Sequence, residues 1–395
     1  MIDFVDLKVQ IDKMSEDKSL RDRDLAWRIE RAVREVEDAS KGWEELARKA
    51  KGSKTSWLIA QIRQPLSWGH PPPKRLDRLS VVAVDGSQIF PDRHELAVCY
   101  LVNIGVVAIH YGTGERPFMK SIPSLFWKDE DLFVRWGGRK VHVDGEVLGM
   151  KRAIMEMERL VEQCIRLREE GRERVVGLID GTLILWRLEG CPQDFKSFIL
   201  EGFISLLDRM RKERIPLAGY ISNPGSTDVV NLLRVKVCPM EYPDCDRCPA
   251  GGWEVEEGLP CSAVSGFPDR VLWKRFLSVG ESTSIFGSSS KILEEYGDHR
   301  VDFFYMRVGE EVARVEVPRW VSEDPELFLL LKSCVWDQVE KGGGYPVVLA
   351  EAHEQAVVRG SDRDLFFRML EGSFVRRGIP AAISAKGLRK RRMAV

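Results

Sequence analysis

Two stretches of this chain end in the same way, and together they limit its fold more than anything else in it. Leu79–Gln88 reads LSVVAVDGSQ, an apolar, β-favouring run that stops on Asp85-Gly86-Ser87. A run of this length bounded by a turn signal predicts a buried strand. Val175–Thr182, VVGLIDGT, repeats the pattern and stops on Asp180-Gly181-Thr182. A carboxylate at the tip of a buried strand is unfavourable unless a cation meets it. On neighbouring strands, about 4.8 Å apart, two such carboxylates can share a divalent ion. Gly86 and Gly181 let the backbone turn away without crowding that position. Asp-Gly pairs also close ordinary strands as plain turns. It is the repetition that points to a metal site and to phosphodiester chemistry.

The rest of the chain can support such a site. Its 395 residues are 44% apolar and 31% charged, enough for a large core in one or two domains. With 60 basic and 61 acidic residues the net charge is −1, so nucleic-acid contacts must come from local patches. No run approaches the roughly eighteen apolar residues of a membrane span. The N-terminus, MIDFVDLKVQIDKMSEDKS, lacks a secretory apolar core. The expectation is a cytoplasmic protein without membrane contact.

Residues 1–64 read as helical, with Leu25, Ile29, Val33 and Val36 at helical spacing. Such a helix packs on its own domain or couples the protein to a partner or a second copy. Pro65 and Pro71-Pro72-Pro73 then mark a linker. The expected domains are therefore a helical region with a Pro-rich linker over 1–75 and a main body over 76–395. Within the body, HELAVCYLVNIGVVAIHYGTG reads as a hairpin bent at Gly105, and FMKSIPSLFWKDEDLFVRWGGRKVHV as an aromatic, mixed-charge segment of unassigned role. Val147–Arg168 predicts a helix that carries Glu156, Glu158 and Glu162. A helix over Asp194–Glu213, the strand LAGYISNP and a helix after Asn223-Pro224-Gly225 follow. Phe303–Val317 predicts a β-hairpin turning at Gly309, and Leu327–Glu340 a further helix. YPVVLAEAHEQAVV reads as a strand passing into a helix, with His353 at the junction. Strands alternating with helices argue for an α/β sheet.

Eight cysteines, four of them clustered as Cys238, Cys245, Cys248 and Cys261, point to metal rather than to disulfides. A Cys-x-x-Cys knuckle with two outer thiols suits zinc or an iron–sulfur cluster, and the spacing does not choose between them. The expected position is a Cys-rich insertion over 236–263. The C-terminal SAKGLRKRRMAV gathers Lys386, Arg389, Lys390, Arg391 and Arg392. Such a run is solvated on most proteins and grips phosphates on a nucleic-acid-binding one.

Five segments in order carry a resemblance: AVDGSQ at 83–88, Arg152-Ala-Ile-Met-Glu156, IDGT at 179–182, GYISNPGSTDVVNLLR at 219–234 and YPVVLAEAH at 345–353. The set resembles the NurA nuclease family, from about residue 79 to the C-terminal helix. The resemblance implies an RNase H-like mixed sheet flanked by helices and a manganese-dependent DNA nuclease, acting 5′ to 3′ and on single strands. It also implies a homodimer that works with a hexameric HerA-type translocase in end resection during double-strand break repair. By motif match Asp85, Asp180 and Glu156 would be the metal ligands, with Glu158 the alternative to Glu156, and Tyr345 and His353 would complete the site. Carboxylates suit Mn²⁺ or Mg²⁺. The cysteine cluster lies outside the family pattern. Paired Asp-Gly-Ser/Thr elements also look like the phosphate loops of actin-like ATPases and sugar kinases, with Ser87 and Thr182 cradling phosphates. A non-catalytic DNA clamp or translocase adaptor is the third reading.

Overall fold

A computed structural model of the chain describes residues 2–91, 97–248 and 259–379, without the side chains of residues 19–23. Helices α1 (Phe4–Ala39) and α2 (Trp43–Gly52) come first, then strands β1 (Leu79–Ile89), β2 (Tyr100–Tyr111) and β3 (Phe118–Phe126). A short helix α3 (Asp129–Leu132) leads into the ribbon β4 (Phe133–Trp136) and β5 (Arg139–His142), then α4 (Gly145–Glu169), β6 (Val175–Asp180), α5 (Gln193–Lys212) and β7 (Leu217–Ile221). Next are α6 (Asp228–Val237), α7 (Asp269–Trp273), β8 (Phe286–Gly287), β9 (Val301–Val308) and β10 (Glu311–Pro318). The chain closes with α8 (Arg319–Ser322), α9 (Pro325–Lys341), α10 (Val347–Ala356) and α11 (Gly360–Arg376). These elements form two compact units, Met1–Pro72 with Tyr220–Ser322 and Pro73–Gly219 with Glu323–Val395; the chain passes between them within β7. No helix among the described residues is long and apolar enough to cross a membrane.

In the second unit the strand order is β3-β2-β1-β6. β1 pairs antiparallel with β2, and parallel with β6 in the register Ser80↔Val175 to Val84↔Ile179. Val81, Val82, Ala83 and Val84 are all buried because both faces of β1 are covered, which is why the run lacks alternation. The glycines show what covers each face. A Cβ on Gly86 would stand 2.3 Å from Glu156 Oε1 of α4, whereas one on Gly105 would stand 2.4 Å from the Ala352 carbonyl of α10. Gly105 is thus the point where α10 lies against β2, not a bend. The expected hairpin over this region is one continuous strand, which pairs with β1 on one side and, on the other, with β3 from the segment left without a role. Helix α4 starts at Asp144, whose carboxylate accepts the Glu146 and Val147 amide hydrogens, and ends with Arg166 and Arg168 in its last turn. Both ends suit the helix dipole.

The first unit packs the second half of α1 with α2, α6, α7 and β8–β10 around an aromatic centre. Here the expected hairpin appears as β9 and β10, turning at Gly309 with φ +76°. At the N-terminus of α6 the buried Asp269 carboxylate accepts from the Val229 and Val230 amides, at 3.0 and 2.8 Å, and from the Tyr305 hydroxyl at 2.7 Å. Buried Arg314 pairs with Asp228 at 3.1 Å and Glu316 at 2.9 Å, and lies 3.6 Å over the Phe303 ring.

Candidate active site

The β1–β6 register ends at Val84↔Ile179, so the next residues, Asp85 and Asp180, stand side by side where β6 runs out; β1, expected to stop at Asp85, continues to Ile89 against β2. Asp85 and its cross-strand partner Gly105 share the face that α10 covers. From α10, His353 Nδ1 lies 2.7 Å from Asp85 Oδ2, and Asp85 Oδ1 accepts from the Gly86 amide at 2.8 Å. His353 sits inside a helix and not at a strand–helix junction, because Pro346 caps α10 and the apolar run that follows it, from Val347, is already helix. The Tyr345 hydroxyl donates to Asp180. Burial pushes the Asp180 carboxyl up, with Asp85 adding to the rise and Tyr345 and His353 opposing it.

Glu156 arrives from the other face. Its carboxylate occupies the space that a side chain on residue 86 would fill, so the glycine of the Asp-Gly pair is what admits it. Burial pushes the Glu156 carboxyl up to about 7; Arg152 opposes this, and Asp85 and Asp180 reinforce it. Glu158 instead feels Glu162, Arg159 and Arg209, so Glu156 is the helix acid that shares the field of the two aspartates. Arg152 Nε lies 2.9 Å from Glu156 Oε1, yet the pair is not aligned for a hydrogen bond, and both atoms are buried without a hydrogen-bond partner. Arg152 also donates from Nη1 to Gln88 Oε1 at 2.7 Å. Its place beside Glu156 was open to sequence reading through the i, i+4 spacing; the Gln88 contact was not.

Among the described residues no three His, Cys, Asp or Glu side chains stand ready to hold an ion as placed. The donor set nonetheless fits a hard cation: three carboxylates, one presenting a buried oxygen without a hydrogen bond. The hydroxyls of Ser87 and Thr182 are both engaged by backbone groups of the chain. The Ser87 hydroxyl donates to the Ala356 carbonyl at 2.5 Å, and Thr182 Oγ1 accepts from the Ile184 amide at 3.0 Å.

Away from this site, Cys238, Cys245, Cys248 and Cys261 are free and half-buried. Burial raises the Cys245 thiol, and the other three thiols of the cluster raise it further, so they share one neighbourhood. The basic residues Lys386, Arg389, Lys390 and Arg391 lie outside the described residues.

A sheet in this order, with aspartates side by side on its two neighbouring parallel strands, defines an RNase H-like α/β protein. The NurA domain matches residues 79–358, and the chain belongs to the NurA family. Among solved structures it is similar to the NurA nuclease from Sulfolobus solfataricus, at 13% identity over 90% of this chain and 98% of that one, with a TM-score of 0.46. It is also similar to NurA bound to dAMP and manganese, at 11% identity over 84% and 93%, with a TM-score of 0.35. The catalytic domain of human Endonuclease V is similar at 15% identity over 79% and 93%, with a TM-score of 0.32. Values this low carry no residue role across. No curated protein sequence matches the chain.

Proposed function

We propose that this protein is a metal-dependent DNA nuclease, hydrolysing phosphodiesters at Asp85, Asp180 and Glu156. The observation that carries the reading is the meeting of three carboxylates at one strand end, where Gly86 leaves room for the third. Family membership supports it. In this reading those acids hold Mn²⁺ or Mg²⁺, and the bound ion supplies charge stabilisation at the phosphate and an acidified water. The protein's own groups do the rest. Asp85 accepts the Nδ1 proton of His353, which fixes the tautomer and leaves Nε2 free to take or return a proton. Tyr345 turns the Asp180 carboxylate by its hydrogen bond.

The finer reading follows the family resemblance: 5′ to 3′ exonuclease and single-strand endonuclease action in end resection for double-strand break repair, in the cytoplasm. It has the chain as a homodimer beside a HerA-type hexameric translocase, with the basic C-terminal residues on DNA. At the four cysteines the donor set suits a structural zinc or iron–sulfur cluster. Metal content and melting temperature of the Cys245→Ser, Cys248→Ser variant test that part, and both should fall.

The test of the main reading is cleavage of end-labelled single- and double-stranded DNA with Mn²⁺, with Mg²⁺ and with chelator, without ATP. Cleavage with either metal and none with chelator is expected. Cleavage that survives in Asp85→Asn would overturn the site, and ATP turnover without any DNA cleavage would overturn the activity.

A further inference from the structure

The ribbon β4–β5 is a part of the second unit that the catalytic reading does not use. Its ten residues, Phe133–His142, read FVRWGGRKVH and contain three cations and no acid. Gly137 and Gly138, at φ +59° and +74°, form its turn, as a two-residue hairpin loop requires. A lone two-stranded ribbon is marginally stable in water, but this one is fastened. The Asp194 carboxylate at the start of α5 accepts from both turn amides, each at 2.9 Å, and Trp136 packs on Phe195 with ring centroids 5.0 Å apart.

The register divides the ribbon into two faces. Val134↔Val141 and Trp136↔Arg139 form one, which Trp136 turns towards α5. Phe133↔His142 and Arg135↔Lys140 form the other. Like charges directly opposite each other destabilise a strand pair, yet Arg135 and Lys140 are opposite and both exposed. Among the described residues Arg135 has no ion pair, while Lys140 sits 4.5 Å over the Phe133 ring. On the same face Phe133 meets His142 edge-on, with centroids 5.2 Å apart. Of the three adjacent acids of α3, Glu130 pairs with Lys128 at 3.6 Å and Asp131 closes the N-terminus of its own helix, while Asp129 makes no ion pair with Arg135 or Lys140.

The ribbon stands at the end of the sheet where the acids are. One residue beyond β1, the Phe90 ring comes within 3.5 Å of where a Cβ on Gly145, the first residue of α4, would be. β5 ends just before that point, and the acids lie further in: Asp85 is five residues before Phe90, and Asp180 leads to α5 through the connection 181–192 with its 3-10 turn Trp186–Gly190. We infer that the Phe133, Arg135, Lys140 and His142 face of this ribbon is a grip for single-stranded DNA, taking phosphates on Arg135 and Lys140 and a base against the rings. A face combining cations with aromatic rings suits an unpaired strand, whose bases are free to stack. The unfavourable Arg135–Lys140 pairing is then relieved by the strand's own phosphates. This inference rests on the nuclease reading for the choice of DNA.

Binding of a fluorescent oligothymidylate in chelator, where no cutting interferes, tests it by anisotropy across a salt series. Arg135→Ala with Lys140→Ala should weaken binding roughly tenfold and flatten the log–log salt slope by about 1.4, from two lost phosphate contacts. Lys140→Glu should weaken it at least as much while leaving the melting temperature equal or higher, since an opposite charge then faces Arg135. Unchanged affinity and slope in both variants, or affinity lost only together with stability, would overturn the grip. So would wild type that fails to bind the strand. Wild type that binds but does not cut in Mn²⁺ defeats the nuclease reading alone, and the binding comparison still decides the grip.

Discussion

Two gatherings of carboxylates among the described residues are built differently. In the first unit Asp228, Asp269 and Glu316 are almost wholly buried, and the chain supplies their compensation: Arg314, the Val229 and Val230 amides and the Tyr305 hydroxyl. Only Asp228 Oδ1 lacks a hydrogen bond. In the second unit Asp85, Asp180 and Glu156 meet at a strand end with a misaligned arginine, an exposed histidine and a tyrosine beside them. A fixed guanidinium makes a structural network. Each gathering sets three acids against one guanidinium, but the second opens to solvent at Asp180 and His353, so a cation can reach it, and that difference separates scaffold from candidate site.

The comparison breaks most clearly under exchange of single charges. Asp85→Asn or Asp180→Asn should lower Mn²⁺-dependent DNA cleavage by about 10³-fold, comparable with loss of a strong transition-state contact, while urea unfolding shows equal or greater stability. Arg314→Met should do the reverse. It strands buried acids and should lower stability by about 3–5 kcal/mol. Cleavage retained in Asp85→Asn, or Arg314→Met as stable as wild type, would erase the distinction.

Protonation sharpens the contrast. Burial raises the Glu156 carboxyl from 4.5 to about 7, so between those values the folded state binds more proton than the unfolded state. The resulting contribution to stability is fully present below about pH 4.5 and is lost as pH rises through about 7, on the order of 3 kcal/mol for the metal-free protein. Urea titrations in chelator at pH 5 and pH 8 should show wild type losing stability across that interval, with Glu156→Gln losing less. Equal slopes for the two proteins would remove Glu156 from the buried cluster.

The sequence made the site's strands legible because repetition is visible in one dimension: LSVVAVDGSQ and VVGLIDGT appear as β1 and β6 in adjacent register. It misread β2 because Gly105 carries no local sign of whether it bends a strand or admits a helix, and only packing of α10 decides. It misread the start of YPVVLAEAHEQAVV because a short apolar run reads equally as strand or buried helix. The split of the chain into Met1–Pro72 with Tyr220–Ser322 and the remainder depends on contacts across some 150 residues, beyond any local pattern. The Gln88–Arg152 bond was hidden for the same reason.

Two glycines on neighbouring strands carry the smallest and most local version of the comparison. Neither Gly86 nor Gly105 has a positive φ, so alanine at either position meets its difficulty in packing rather than in backbone strain. On Gly105 a methyl would strike the Ala352 carbonyl at 2.4 Å and the Ala356 amide nitrogen at 2.6 Å. Helix α10 would have to move as a body, and Gly105→Ala should lower stability by about 1–3 kcal/mol. On Gly86 a methyl would strike Glu156 Oε1 at 2.3 Å and the Arg152 stem at 2.9 Å. These are flexible side chains that can swing aside, so Gly86→Ala should lower stability by about 1 kcal/mol or less. The displaced carboxylate no longer stands beside Asp85 and Asp180, and DNA cleavage should fall by roughly 10²-fold, as for other small misplacements of a reacting group. Urea unfolding and single-turnover cleavage of both variants separate the two effects. A Gly86→Ala variant that is fully active, or that loses stability as Gly105→Ala does, would show that this glycine serves the sheet and not the approach of Glu156.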